Sequence, residues 1–114
     1  MARRPIVAAN WKMHKTHLEA IRDVQKLSYL LDADDTERVE IVVCPAFTAL
    51  RAVQTLIESD RLRFGLAAQN VYPEEQGAFT GEVSAAMLER ITPIVSPASA
   101  GSALRPVPIA QIGS

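Results

Sequence analysis

A chain of 114 residues with a net charge of −1 is one domain at most, and it lacks the positive charge that attracts nucleic acids or acidic membrane surfaces. No apolar stretch approaches the roughly 18 residues that span a bilayer, so we expect neither a nucleic-acid nor a membrane partner. The single cysteine, Cys44, can form no internal disulfide and suits a reducing compartment. We therefore expect a cytoplasmic protein.

The first part of the chain predicts a strand followed by a helix. Residues 5–10 form a short apolar run typical of a buried strand. Residues 16–31 predict a helix, with Thr16 as N-cap and Glu19 completing a capping box. Its apolar residues recur at spacings of three and four and predict one buried stripe: Leu18, Ile21, Val24, Leu27 and Leu31. The acidic cluster 32–35 predicts a solvated connection.

The middle of the chain repeats this order. Residues 39–44 predict a second strand with a β-branched centre. Residues 48–58 predict a second helix whose inner face carries Leu50, Val53, Leu56 and Ile57. A third strand over 62–68, a long loop over 69–81 and the start of a third helix over 82–90 follow. This alternation predicts an α/β fold with a parallel sheet. Periodicity alone leaves a barrel and a doubly wound sheet both open.

Asn10 and Lys12 are candidate binding residues because Asn10 ends the first predicted strand and Lys12 lies just past it. The carboxyl ends of parallel strands are where α/β proteins carry their chemistry. A lysine at this place can neutralise a phosphate or a developing enolate oxygen, and Asn10 can donate an amide hydrogen bond on the same face. The alternative is that Lys12 is an ordinary solvated lysine.

The remaining residues of interest have simpler interpretations. Trp11 is predicted to be a packing residue under the loop. Cys44 is predicted to be a small buried hydrophobic residue rather than a nucleophile. His14 and His17 have no plausible metal partners, so we expect no metal site. Phe79, flanked by glycines at the tip of the loop 69–81, predicts a projecting apolar residue. The alternative for this loop is a mobile surface segment.

Two segments carry a family resemblance. They are Ala8-Ala9-Asn10-Trp11-Lys12-Met13 and Ala68-Gln69-Asn70-Val71-Tyr72, the latter continuing through Gly77-Ala78-Phe79-Thr80-Gly81-Glu82-Val83-Ser84. Their order and spacing resemble the triosephosphate isomerase family over about residues 3–88. The resemblance implies the N-terminal portion, about three β/α units, of an incomplete (β/α)8 TIM barrel. It also implies the interconversion of glyceraldehyde 3-phosphate and dihydroxyacetone phosphate in glycolysis and gluconeogenesis, by a homodimer without a metal or organic cofactor.

The resemblance also assigns roles to individual residues. It implies that Asn10 and Lys12 contact the triose phosphate substrate and that Lys12 supplies the catalytic positive charge. His14 departs from the family pattern, which mostly has asparagine there. The resemblance implies that the loop docks into a neighbouring subunit, with Thr80 reaching toward the partner's active site. The implied dimer-interface residues are Gln69, Asn70, Phe79, Thr80 and Glu82.

The resemblance stops before the end of the chain. Residues 91–114 have no acidic residue, four prolines and no helical or strand period. We expect residues 1–90 to form a partial barrel domain and 91–114 to be a non-homologous tail, disordered or produced by a reading-frame shift; a native tail with a new function is the alternative.

The catalytic histidine and glutamate of the family match no residue of the sequence. We therefore expect the chain alone to be inactive. The alternative function is a non-catalytic fragment that docks onto a full-length isomerase subunit through the loop 69–81.

Overall fold

The structure, a computed structural model, describes residues 4–92. Apart from Ile91 and Thr92, the predicted tail lies outside the described residues. Within them, three strands and four helices follow one another in this order: β1 (Ile6–Asn10), α1 (His17–Leu30), α2 (Ala33–Arg38), β2 (Glu40–Cys44), α3 (Phe47–Ser59), β3 (Phe64–Leu66) and α4 (Ala85–Glu89).

The three strands form one parallel sheet in the order β1-β2-β3. The register pairs Ala8 with Val42 and Val42 with Gly65, so the carboxyl ends of all three strands meet at one edge. The predicted α/β class with a parallel sheet is confirmed. Strands that are consecutive in both sequence and space fit the start of a barrel, although one half of a doubly wound sheet has the same order.

One face of the sheet is covered by α1 and α3, which pack on each other. Val43, Phe64 and Leu66 point toward these helices and are buried. They form the main core with a set of buried helix residues, namely Ala20, Val24, Ala49, Leu50, Val53, Ile57 and Leu88. Burial of these side chains is the main contribution that holds the helices on the sheet.

The opposite face of the sheet carries smaller side chains. Ala8, Val42, Cys44 and Ala67 form a second, separate cluster there. At the amino end of the edge strand β1, Ile6 is 54% exposed. The sheet is therefore covered by helices on one side only within the described residues, an arrangement that parallel sheets normally avoid.

The capping box predicted for α1 is confirmed. The backbone N–H of Glu19 donates to Thr16 Oγ1 at 3.2 Å, and the N–H of Thr16 donates to the Glu19 carboxylate at 2.8 Å. This second bond lowers the pKa of Glu19. The predicted apolar stripe is wrong at its start, because Leu18 is 63% exposed while Ala20 and Val24 are fully buried. Leu18 belongs to the first turn of α1, and the burial begins at Ala20.

The acidic cluster at 32–35 was expected to be a connection, and that expectation is wrong. Asp32 caps a short helix, α2, by accepting from the N–H of Asp35 at 2.9 Å, and Asp35 accepts from the N–H of Asp32 at 3.1 Å. Asp34 lies in the first turn, where the helix dipole favours negative charge. Acidic residues here stabilise the start of a helix instead of preventing one.

The other elements follow the predictions except at their ends. The inner face of α3 is confirmed, since Leu50, Val53 and Ile57 are buried and Leu56 packs against the core. The strand β3 covers only Phe64–Leu66, and α4 begins at Ala85 instead of at residue 82. Ser84 sets that start, because its hydroxyl accepts from the N–H of Met87 at 3.3 Å.

Candidate functional site

The candidate site lies at the edge where the three strands end. Asn10 is the last residue of β1 and pairs with Cys44, the last residue of β2. Lys12 follows β1 by two residues, and Gln69 follows β3 by three. Parallel pairing thus brings together three segments that are far apart in sequence, and the loops that follow the strands share this edge.

The turn after β1 is fixed by short hydrogen bonds. The N–H of Lys12 donates to Asn10 Oδ1 at 2.8 Å, and the N–H of Trp11 donates to the carbonyl of Cys44 at 3.1 Å. Lys12 has a φ of +56°, the left-handed region that residues with a Cβ seldom adopt. The asparagine side chain therefore holds the backbone of Lys12 in a conformation that it would not choose by itself.

Gln69 joins the ends of all three strands. Its side-chain Nε2 donates to the carbonyl of Lys12 at 2.9 Å and to the carbonyl of Cys44 at 2.7 Å. One amide thereby connects the segment after β3 to the turn after β1 and to the last residue of β2. Gln69 was predicted from the resemblance only as an interface residue, and its bonds within the chain were not anticipated.

Trp11 and Lys15 complete the turn on its outer side. Trp11 is partly buried and packs against the main core, so its predicted packing role is confirmed. The ammonium of Lys15 lies 5.6 Å from the centre of the Trp11 ring and forms an ion pair with Asp23 on α1. The sequence analysis predicts a role for neither Lys15 nor Asp23. The available signal is a lysine just before the predicted helix and an acidic residue about two turns into that helix.

The electrostatics of the site favour an anion. Lys12 is exposed at this edge, and its ammonium is a compact point charge suited to phosphate. Cys44, the last residue of β2, is 1% exposed, and burial raises the pKa of its thiol to about 11. The thiol is therefore protonated at neutral pH, and the prediction that Cys44 is a buried hydrophobe is confirmed.

The long loop that follows this edge is folded on itself. The N–H of Tyr72 donates to the carbonyl of Val83 at 2.8 Å, which closes the base of the loop. The rings of Tyr72 and Phe79 lie 4.6 Å apart between centroids. Phe79 still keeps 42% of its surface exposed, and the other predicted interface residues in this segment are exposed: Asn70, Thr80 and Glu82.

The structure thus brings together Asn10, Lys12 and Gln69, and it holds Phe79 and Thr80 on the separate loop surface. His14 and His17 are exposed. Residues 4–92 contain no group of three or more acidic, histidine or cysteine side chains placed to hold a metal ion. Among the helices described, none has both the length and the apolar character required to cross a membrane.

A depression lies at the opposite edge of the sheet, where the strands begin. Its volume is about 360 Å³, and its lining includes Arg4, Arg63, Glu37 and Glu40. The two arginines and two glutamates cancel in formal charge, and Arg4 already donates to the carbonyl of Thr36 at 3.0 Å. We therefore place the candidate site at the carboxyl edge, where the exposed residue Lys12 follows β1 by two positions.

Comparisons with known proteins point to one family. Residues 5–93 match the family model described as triosephosphate isomerase. The triosephosphate isomerase of Corynebacterium efficiens is 50% identical over 91 residues, which cover 80% of this chain and 35% of that protein. The enzymes of Nocardia farcinica and Rhodococcus jostii are 48% and 47% identical over the same coverage. The chain spans 35% of the length of these curated relatives, and the match favours a partial barrel over a doubly wound sheet.

Proposed function

Because the chain belongs to the triosephosphate isomerase family, we propose that its carboxyl edge is the substrate-contacting part of an isomerase site. The substrates would be glyceraldehyde 3-phosphate and dihydroxyacetone phosphate, in glycolysis and gluconeogenesis in the cytoplasm. The observation that carries this proposal is the left-handed backbone conformation of Lys12. A left-handed residue held by Asn10 and Gln69 is a costly arrangement, and such strain is typical of functional sites.

The chemistry proposed for Lys12 is electrostatic. Isomerisation moves a proton between adjacent carbons through an enediolate, and negative charge develops on oxygen as it proceeds. The ammonium of Lys12 would offset that charge and the charge of the phosphate, while Asn10 orients the substrate by hydrogen bonding. A fixed cation stabilises the transition state because it needs no rearrangement during the reaction. No metal or organic cofactor is proposed.

The 114-residue chain alone is proposed to be inactive. Proton transfer needs a carboxylate base, and the carbonyl needs a neutral histidine to polarise it. The two histidines of the chain, His14 and His17, are exposed at the turn and at the start of α1. No residue of the chain matches either of these family groups in sequence, so we assign neither role. The chain covers 35% of its relatives, and the proton-transfer groups belong to the part of the family fold that it does not match.

A chimaera tests the proposed role of Lys12. Residues 5–93 replace the matched segment of the Corynebacterium efficiens enzyme, and turnover of glyceraldehyde 3-phosphate is measured. We expect an active chimaera in which Lys12→Ala lowers kcat/KM by about 100-fold or more. Lys26→Ala, which changes an exposed lysine of α1, is the matched control. An active chimaera that tolerates Lys12→Ala would contradict the proposal, as would isomerisation by the 114-residue chain itself.

A second candidate function is docking onto a full-length isomerase subunit. The loop 69–81 favours it because the loop is closed at its base and braced by the Tyr72–Phe79 contact, so little ordering remains to be done on binding. In this proposal Gln69, Asn70, Phe79, Thr80 and Glu82 form the interface, as they would in a homodimer.

Native mass spectrometry of a mixture with the Corynebacterium efficiens enzyme tests docking. We expect a mixed dimer at micromolar concentration that is lost in Phe79→Ala. Tyr29→Ala is the matched control, since Tyr29 is an aromatic residue 86% exposed on α1, outside the loop. Absence of a mixed dimer, or equal effects of the two substitutions, would exclude docking through this loop.

A further inference from the structure

Lys15 has an unusual backbone for its residue type. Its φ is +78°, and that of Lys12, three residues earlier, is +56°. The turn between β1 and α1 therefore contains two residues in a region that favours glycine. Such a turn persists only when the surrounding structure over-determines it, so contacts of both lysines must contribute to its shape.

Two contacts hold the side chain of Lys15. Its ammonium pairs with the carboxylate of Asp23 on α1, and it lies 5.6 Å from the centre of the Trp11 ring. Trp11 packs against the core, and its backbone N–H donates to the carbonyl of Cys44. A continuous series of contacts thus runs from α1 through Lys15 to Trp11, the residue that precedes Lys12.

We propose that Lys15 is a positioning residue that, with Asp23, holds the turn in the shape that keeps Lys12 at the carboxyl edge of the sheet. The inference rests on the proposed function for its ligand, a three-carbon phosphate monoester. Asp23 offsets the charge of Lys15, and the two side chains are similarly exposed, at 34% and 37%. The contribution of Lys15 is therefore to geometry, and Lys12 remains the cation that meets the anion.

The test uses the full 114-residue chain labelled with ¹⁵N and glycerol 3-phosphate as the probe. The heteronuclear NOE of the Lys12 amide reports the order of the turn, and the indole signal of the single tryptophan reports the Lys15 contact. We expect Asp23→Asn and Lys15→Ala each to lower that NOE and to weaken glycerol 3-phosphate binding about two- to fivefold, the range of partly exposed ion pairs. Lys15→Arg restores both, and Lys26→Ala changes neither.

Asp23→Asn separates positioning from simple charge. Removal of the negative charge of Asp23 would tighten phosphate binding if charge alone mattered, whereas loss of positioning weakens it. Tighter binding in Asp23→Asn, or an unchanged Lys12 NOE in both variants, would overturn the inference. Absence of glycerol 3-phosphate binding in the unmodified chain would count against the proposed function, and the NOE comparison would still decide whether Lys15 orders the turn.

Discussion

Gln69 and Lys12, 57 positions apart in the sequence, are joined by a hydrogen bond of 2.9 Å from a side-chain amide to a backbone carbonyl. The same amide reaches the carbonyl of Cys44 at 2.7 Å. Both acceptors are backbone groups at the ends of strands, so the bond holds the shape of the site without occupying the side chain of Lys12. This separation of tasks leaves the lysine ammonium available for an anion.

Replacement of Gln69 tests the importance of this amide. Gln69→Glu puts a carboxylate beside two carbonyl oxygens, and at neutral pH it can donate to neither. We expect a loss of about 1–2 kcal/mol in the free energy of unfolding, because a partly buried acceptor loses its donor. Urea unfolding measures it, with Gln76→Glu on the exposed part of the loop as control. Equal stabilities of the two variants would show that the amide contributes little.

The burial pattern of α1 makes a second prediction. Val24, on α1, is fully buried in the main core, whereas Leu18 is 63% exposed. We expect Val24→Ala to reduce the free energy of unfolding by about 1–3 kcal/mol, since it removes buried methyl groups and leaves a cavity. Leu18→Ala should change it by less than about 0.5 kcal/mol. A larger effect of Leu18→Ala, measured by urea unfolding, would restore the stripe expected from the sequence.

Cys44 predicts a dependence of stability on alkaline pH. Burial raises the pKa of its thiol to about 11 from an ordinary value of 9.0. Above pH 9 the unfolded chain releases the thiol proton while the folded chain retains it, so the free energy of unfolding falls as the pH rises from 9 to 11. The loss should approach about 2 kcal/mol.

Thermal or urea unfolding of the protein and of Cys44→Ala over this pH range provides the measurement. The alanine variant lacks the titrating group, so its stability should decline less steeply. Parallel curves for the two proteins would mean that other groups cause the decline. At pH 8 the native thiol should also react slowly with thiol reagents, and it should react rapidly once the chain is unfolded in urea.

Two glycines of the long loop give a matched pair of substitutions. A Cβ on Gly77 would lie 2.6 Å from Cε2 of Phe79, whereas a Cβ on Gly81 would have no atom within 4 Å. Both residues have positive φ, at +147° and +91°, so alanine strains the backbone in each case. Only Gly77→Ala should displace the Phe79 ring from Tyr72. Ring-proton chemical shifts of Phe79 measure this, and equal shifts in both variants would contradict it.

Local patterns predicted the elements better than the contacts between them. Thr16 and Glu19 mark the start of α1 because their hydrogen bonds involve neighbouring residues only. Asp32 and Asp35 form the same capping arrangement at the start of α2. The sequence does not reveal it as readily, because a run of acidic residues also fits a solvated connection. The sequence analysis also does not identify Ser84 as the cap at the start of α4.

The site was predictable where it depends on position along a strand, and not where it depends on tertiary contact. Asn10 and Lys12 are predictable because they lie at the end of an apolar run and just past it. The bonds of Gln69 required knowledge of which strand ends become neighbours, and periodicity carries no such information. The pairing of Lys15 with Asp23 joins a turn residue to a helix residue, and nothing in a lysine side chain predicts the left-handed backbone at Lys15.

The bridge between Tyr72 and Ser84 has a consequence for how this chain can diverge. Because the two ends of the loop are fixed to each other, insertions between them leave β3 and α4 in place, and each doubling of the length of a flexible loop costs only about 0.6 kcal/mol. Variation in this segment can therefore change how far Phe79 reaches while the strand-end geometry around Lys12 is inherited unchanged.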